Sequence, residues 1–195
     1  MLIKKGQLPI LLVNAIAVVL FTILFASRKN YEFLLYIGVI IFFLIVILAT
    51  NKKVDYPNGV LWGLTFWALL HMSGGGLYIR GAKLYELILV PISADYGIFR
   101  YDQFVHIVGF GAATLVMYHV LKPSLMPGLR RGPALFIVVV MAGLGVGALN
   151  EIIEFIATVL VPETGVGGYT NTSLDLVSDL IGAIAAVMII RTGRQ

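Results

Sequence analysis

About six stretches of some twenty apolar residues follow one another along this chain, and each is long enough to cross a lipid bilayer as a helix. They are Leu8–Ala26, Glu32–Thr50, Gly59–Tyr78, Asp102–Leu121, Ala134–Val161 and Leu174–Ile190. Hydrophobic residues make up 59% of the 195 positions and charged residues only 12%, about half of what a soluble domain carries. The expected architecture is all-α, a polytopic membrane helix bundle forming one integral membrane domain over 1–195. Lys4 and Lys5 precede the first apolar stretch and Arg28 and Lys29 follow it, with no Ala-x-Ala pattern nearby. It is therefore expected to be a retained span rather than a signal peptide.

The chain contains no cysteine, which removes disulfides, thiolate metal sites and thiol nucleophiles together. Its net charge of +4 is no nucleic-acid signature, because the basic residues stand at the ends of apolar segments rather than in a patch. Six spans put both termini on one side. Nine basic residues then share that side (Lys4, Lys5, Lys52, Lys53, Lys122, Arg130, Arg131, Arg191, Arg194) against five on the other (Arg28, Lys29, Arg80, Lys83, Arg100). The positive-inside rule makes the first side cytoplasmic. Gly81–Ile92 is too short to span and is expected to lie along the outer interface or to re-enter it. Tyr78, Tyr85, Tyr96 and Tyr101 crowd that level like an interfacial belt.

Gly143 and Gly147 give the fifth helix a small-xxx-small face, which admits a close neighbour and is a possible surface for a homo-oligomer. Gly74-Gly75-Gly76 is expected to unwind the third helix, since each glycine in a helix interior costs about 1 kcal/mol relative to alanine.

Set in this apolar background are ionisable residues at helical spacing: Asp102-x3-His106, Glu151-x2-Glu154 and Asp175-x3-Asp179. Three- or four-residue spacing puts both members of a pair on one helix face, and ionisable groups at bilayer depth are functional candidates by default. With a rise of about 1.5 Å per residue, Asp102 opens the fourth helix at the outer face and His106 lies roughly 6 Å further in. Asp175 and Asp179 open the sixth helix on that side. Glu151 and Glu154 come about 10 to 15 Å before the outer end of the fifth. His71 on the third helix is about as deep. His119, about 20 Å from His106, falls outside this layer.

Five carboxylates cannot all stay charged and bare in one layer, since like charges raise one another's pKa. Protonation, pairing with Arg80, Lys83 or Arg100, or a bound cation would resolve the conflict. A ligand set of Asp102, His106, Asp175, Asp179 and His71, rich in oxygen with one or two imidazoles, suits Mg, Mn, Zn or Fe. Asn150, Asn171 and Ser178 are expected to be hydrogen-bond partners of the ligands. Helix caps are the plainer reading of Asp102 and Asp175.

These motifs resemble the YjdF-like inner-membrane family, whose domain has no assigned function. The likeness rests on His71-Met72-x-Gly74-Gly75, Tyr101-Asp102-x3-His106-x2-Gly109-Phe110, Asn150-Glu151-x2-Glu154-Phe155 and Thr172-x2-Asp175-x3-Asp179-x2-Gly182. More distantly the chain is similar to the VanZ-like family, known through glycopeptide resistance, which pairs Asp-Lys-x2-His with a later Glu and Asp-x3-Asn-x2-Gly. Here Gln103 stands for the lysine and Asp179 for the asparagine, giving a more acidic site. The resemblance implies an inner-membrane protein and supplies no activity.

Two functions fit these residues. In a metal-dependent enzyme acting on a lipid or lipid-linked envelope substrate, Glu151 or Glu154 would be the general base, with Arg80 and Arg100 holding an anionic headgroup. In a proton- or cation-coupled carrier, the acids would form a relay and the glycine run a gate. A non-catalytic accessory protein is the third reading.

Overall fold

A computed structural model describes residues 3–93, 95–126 and 132–193. Arg130, Arg131 and Arg194, which contribute to the expected charge asymmetry, lie outside them. The helices are α1 (Leu8–Ser27), α2 (Tyr31–Val54), α3 (Asn58–Gly76), α4 (Tyr101–Leu121), α5 (Pro133–Leu160) and α6 (Tyr169–Thr192). Proline stands in the first turn of α1 and α5, where its missing N–H costs nothing. Asn30 caps α2 by accepting from the Phe33 N–H at 3.2 Å. Gly193, with φ of 68°, closes α6 in the left-handed region.

The helices alternate in direction. Gln7 donates to Asn51 Oδ1 (3.5 Å) and to the Tyr56 carbonyl (3.4 Å), joining the start of α1 to the end of α2 and the start of α3. Tyr118, Leu135 and Ile190 cluster the end of α4, the start of α5 and the end of α6. The start of α1 and the end of α6 therefore lie at one end of the bundle, and the chemistry-bearing residues at the other. Among the described residues five helices, α1, α2, α4, α5 and α6, are long and apolar enough to cross a membrane. The expected third span, α3, is not among them, because Asn58, Thr65, His71, Ser73 and its glycines dilute its apolar content. It nonetheless runs the length of α1, from the Gln7 level, through an Asn14-to-Thr65 hydrogen bond of 2.7 Å, to the Arg28-to-Gly76 carbonyl bond of 2.5 Å. Outward-facing residues are apolar, such as Leu20 at 61% exposure and Phe155 at 67%, whereas Asp175 and Asp179 are wholly buried. Such an arrangement suits lipid outside and polar chemistry inside.

Several sequence expectations need correction. Gly74–Gly76 does not unwind α3 but completes its last turn. A Cβ at Gly74 would collide with the Tyr85 ring and one at Gly75 with the Phe33 ring, so the run is needed for close packing rather than for a break. The expected interfacial or re-entrant segment, Gly81–Ile92, falls within two antiparallel hairpins that extend beyond it on both sides, β1 (Tyr78–Ile79) with β2 (Ala82–Lys83) and β3 (Ile88–Ser93) with β4 (Ile98–Arg100). A 3-10 turn at Leu84–Glu86 separates them and brings Tyr85 down onto α3. The Gly143/Gly147 face does admit close neighbours, but they belong to this chain. Thr114 and Ala183 pack on Gly143, and Asp179 on Gly147, so the face is not free for a second copy. Finally, α6 begins at Tyr169, five residues before the expected Leu174.

Helices α4 and α6 come into direct backbone contact where Gly111 meets Gly182. A Cβ at Gly182 would strike the Ile107 carbonyl and the Gly111 amide, which are backbone atoms that cannot swing aside. Gly182→Ala is therefore expected to lower unfolding stability by about 1–3 kcal/mol in a detergent melt, the usual cost of overpacking. Gly145→Ala faces open space and should be neutral or stabilising by up to about 1 kcal/mol. Equal responses at the two sites would contradict this packing.

Candidate metal centre

The centre assembles where the first turns of α4, the first turns of α6 and the last turns of α5 meet. At the start of α4 the capping work falls to Gln103. Its Oε1 accepts from the Phe99 N–H at 2.5 Å and the Arg100 N–H at 3.1 Å. Asp102 is thereby left free of a capping role. Asp175 is no cap either, since it lies well inside α6, whose N-cap residue is Gly168.

His106 stands between carboxylates from two helices. Its Nδ1 is 2.9 Å from Asp179 Oδ1, and its Nε2 is 3.8 Å from Asp102 Oδ1. Asn171 joins the pairs by donating to Asp175 Oδ2 at 2.5 Å and to Asp102 Oδ2 at 3.3 Å. On α5, Asn150 donates to Glu154 Oε1 at 2.8 Å. Asn150 and Asn171 thus play the supporting part expected of them, whereas the Ser178 hydroxyl bonds to the Leu174 carbonyl of its own helix.

Among the described residues, two overlapping groups have ligand atoms within 4.8 Å of one another: Asp102, His106 and Asp175, and His106, Glu151 and Asp179. Asp175 Oδ1, Asp179 Oδ2 and both Glu151 oxygens are buried without a hydrogen-bonding partner among the described residues. A buried carboxylate oxygen without a donor is costly, and a cation between the helices would satisfy several at once. Oxygen ligands with one imidazole fit Mg, Mn or Zn.

The other sequence candidates are placed elsewhere. His71 belongs to neither group. Its ring is surrounded by Phe33, Tyr36, Trp67 and Tyr85, and its Nδ1 shares a 2.6 Å hydrogen bond with the Tyr85 hydroxyl. Burial pushes the Tyr85 phenol well above its ordinary pKa, so it keeps its proton for that bond. His71 does share with Asp102, Glu154 and Asn171 a cavity of about 60 Å³, room for several waters. Arg80 sits exposed at the β1–β2 turn, and the Arg100 guanidinium lies over Gly97. Neither arginine lines this cavity, whose cation is Lys83. His119 is buried in the last turn of α4, outside both groups.

One acid escaped the sequence reading. Glu32, in the first turn of α2, is buried in the same layer and accepts from the Gly165 N–H at 2.8 Å, with Lys83 Nζ 3.9 Å away. An acid in a first turn is ordinary support for the helix dipole, and no second acid follows at helical spacing. Its one sequence signal was a carboxylate at the head of a long apolar run.

The chain matches, over residues 8–194, the family described as "Predicted membrane protein (DUF2238)". It belongs to that family. The YjdF-like resemblance fits this family, whose description states a membrane location and no activity. No curated protein and no solved structure matches the chain. Function in this DUF2238 member must therefore be argued from the centre itself.

Removing one partner of the His106–Asp179 pair leaves the other buried and unsatisfied, at about 1–3 kcal/mol. His106→Leu and Asp179→Leu are each expected to lower the detergent unfolding midpoint, and the double variant should lose less than their sum. Strict additivity would mean that the two side chains do not interact.

Proposed function

We propose that this protein is a metal-dependent membrane enzyme acting on a lipid or lipid-linked envelope substrate. The carrying observation is the meeting of three helices' carboxylates around one imidazole, with buried oxygens left unpartnered. In this reading Asp102, His106 through Nε2, and Asp175 hold a divalent ion. Asp179 fixes the ring through Nδ1, the usual role of a carboxylate behind a ligating histidine. The ion would polarise a phosphoryl or acyl oxygen, or make a bound water nucleophilic near neutral pH. Glu154, oriented by Asn150 and lining the cavity, is assigned as general base, with Glu151 beside it. His71 and Tyr85 close the far wall.

A carrier would need a path to both sides. Between α4, α5 and α6 the opposite half of the bundle is instead packed by Tyr118, Leu135, Val139, Val187 and Ile190, which favours the enzyme reading over the carrier. We assign the centre to the outer leaflet of the inner membrane and the termini to the cytoplasm, on the distribution of lysine and arginine.

Protein purified without chelators is expected to contain about one divalent ion per chain by elemental analysis, as one site of this ligand count predicts. Asp102→Ala and Asp175→Ala should each abolish it, and Glu154→Gln should retain it. Metal-free unsubstituted protein, after exposure to Mg, Mn and Zn, would rule out the metal centre. Proton or cation flux into proteoliposomes that Glu154→Gln abolishes would replace the enzyme by a carrier.

A further inference from the structure

A second cavity, of about 480 Å³, opens at the cluster end of the bundle beside the metal centre. Its walls come from the α1–α2 connection, from Tyr78 and Lys83 of the first hairpin, and from the loop between α5 and α6. Three cations line it, Arg28, Lys29 and Lys83, against Glu32 and Glu163. The Glu32 carboxylate is already engaged by the Gly165 N–H. Lys83 Nζ, 3.9 Å from Glu32, is beyond hydrogen-bonding reach and donates to no group among the described residues, so its donors remain open.

Arg28 is held in place. One Nη donates to the Gly76 carbonyl at 2.5 Å, and the guanidinium lies over the Tyr78 ring, 5.6 Å from its centroid. That anchoring leaves the rest of the planar fork aimed without further ordering cost, a geometry suited to phosphate oxygens. Apolar surface borders this mouth: Leu77 is 50% exposed, and Val159 and Leu160 are each 67% exposed. A ligand here would place a charged head among cations and apolar tails along the helices. Glu32, Lys83 and Gly165 also line the inner cavity of Asp102 and Glu154, so the two spaces are neighbours through a shared wall.

The geometry points to a binding site for the anionic phosphate headgroup of a membrane lipid, with Arg28 and Lys83 as its principal contacts and Lys29 adding charge. Its place in catalysis rests on the metal-enzyme reading; its existence as a lipid site does not. The site supersedes Arg80 and Arg100 as headgroup ligands and sets the phosphate at the entrance to the metal centre.

Native mass spectrometry of detergent-purified protein tests this with dioleoyl phosphatidic acid, dioleoyl phosphatidylcholine and inorganic phosphate as probes. Phosphatidic acid should be retained about tenfold better than phosphatidylcholine, the worth of one charge-assisted contact. The double variant Arg28→Gln/Lys83→Gln should lose that preference. Arg80→Gln/Arg100→Gln, with the same charge change at the same end of the bundle, should keep it. Lys83→Arg is the control against misfolding: it keeps the charge and should keep the preference that Lys83→Gln alone weakens. Equal retention of the two lipids, or equal loss in both double variants, would overturn the site. Binding of inorganic phosphate with no preference between the lipids would overturn the lipid headgroup in favour of a soluble phosphate ester. Metal content measured on the same samples separates the two readings. Metal without lipid preference sinks only the headgroup site, and lipid preference without metal sinks only the metal centre.

Discussion

The imidazole of His106, held between Asp179 on one ring nitrogen and Asp102 on the other, is the interaction on which the rest of this structure depends. It ties α4 to α6 at the depth where an uncompensated charge is most expensive. Around it the protein gathers further acids rather than hydrophobic packing. Asp175, Asn171 and Glu151 complete a layer in which several buried oxygens have no donor among the described residues. A bundle needing only cohesion would gain more from apolar packing there, since a buried polar group left half-satisfied destabilises it. That deficit of donors is the observation behind the proposed cation.

That layer exists because small residues allow it. Gly182 lets α6 touch the backbone of α4 one turn beyond Asp179, and Gly147 leaves room on α5 for the Asp179 carboxylate. Gly74 and Gly75 do the same for the aromatic wall, admitting Tyr85 and Phe33 against α3. Gln103 contributes differently, by tying down the start of α4 so that Asp102 can face inward. Substitutions at these positions touch no reacting atom, yet each would shift a ligand relative to its partner.

Much of this was readable from the order of residues. Apolar run length located the helices because lipid permits little else, and the four-residue spacing of Asp102/His106 and Asp175/Asp179 put each pair on one face. Rise per residue then separated His119 from the centre. What escaped the sequence depended on tertiary contact. Whether Gly74–Gly76 breaks a helix or receives a ring is decided by Tyr85 and Phe33, which arrive from other elements. Glu32 joins the layer only because the loop at Gly165 folds over it. Arg80 and Arg100 carry the expected charge, but neither lines the cavity of Asp102 and Glu154, where Lys83 stands. Local periodicity fixes depth and face, whereas partners are chosen by the close approach of segments distant in sequence.

X-ray absorption spectroscopy of protein loaded with Zn or Mn tests the central claim most directly. The account predicts a first shell of oxygen and nitrogen ligands at about 2.0–2.2 Å with the outer-shell scattering of a single imidazole, lost in His106→Leu. A shell with no imidazole contribution, or one unchanged by His106→Leu, would contradict it.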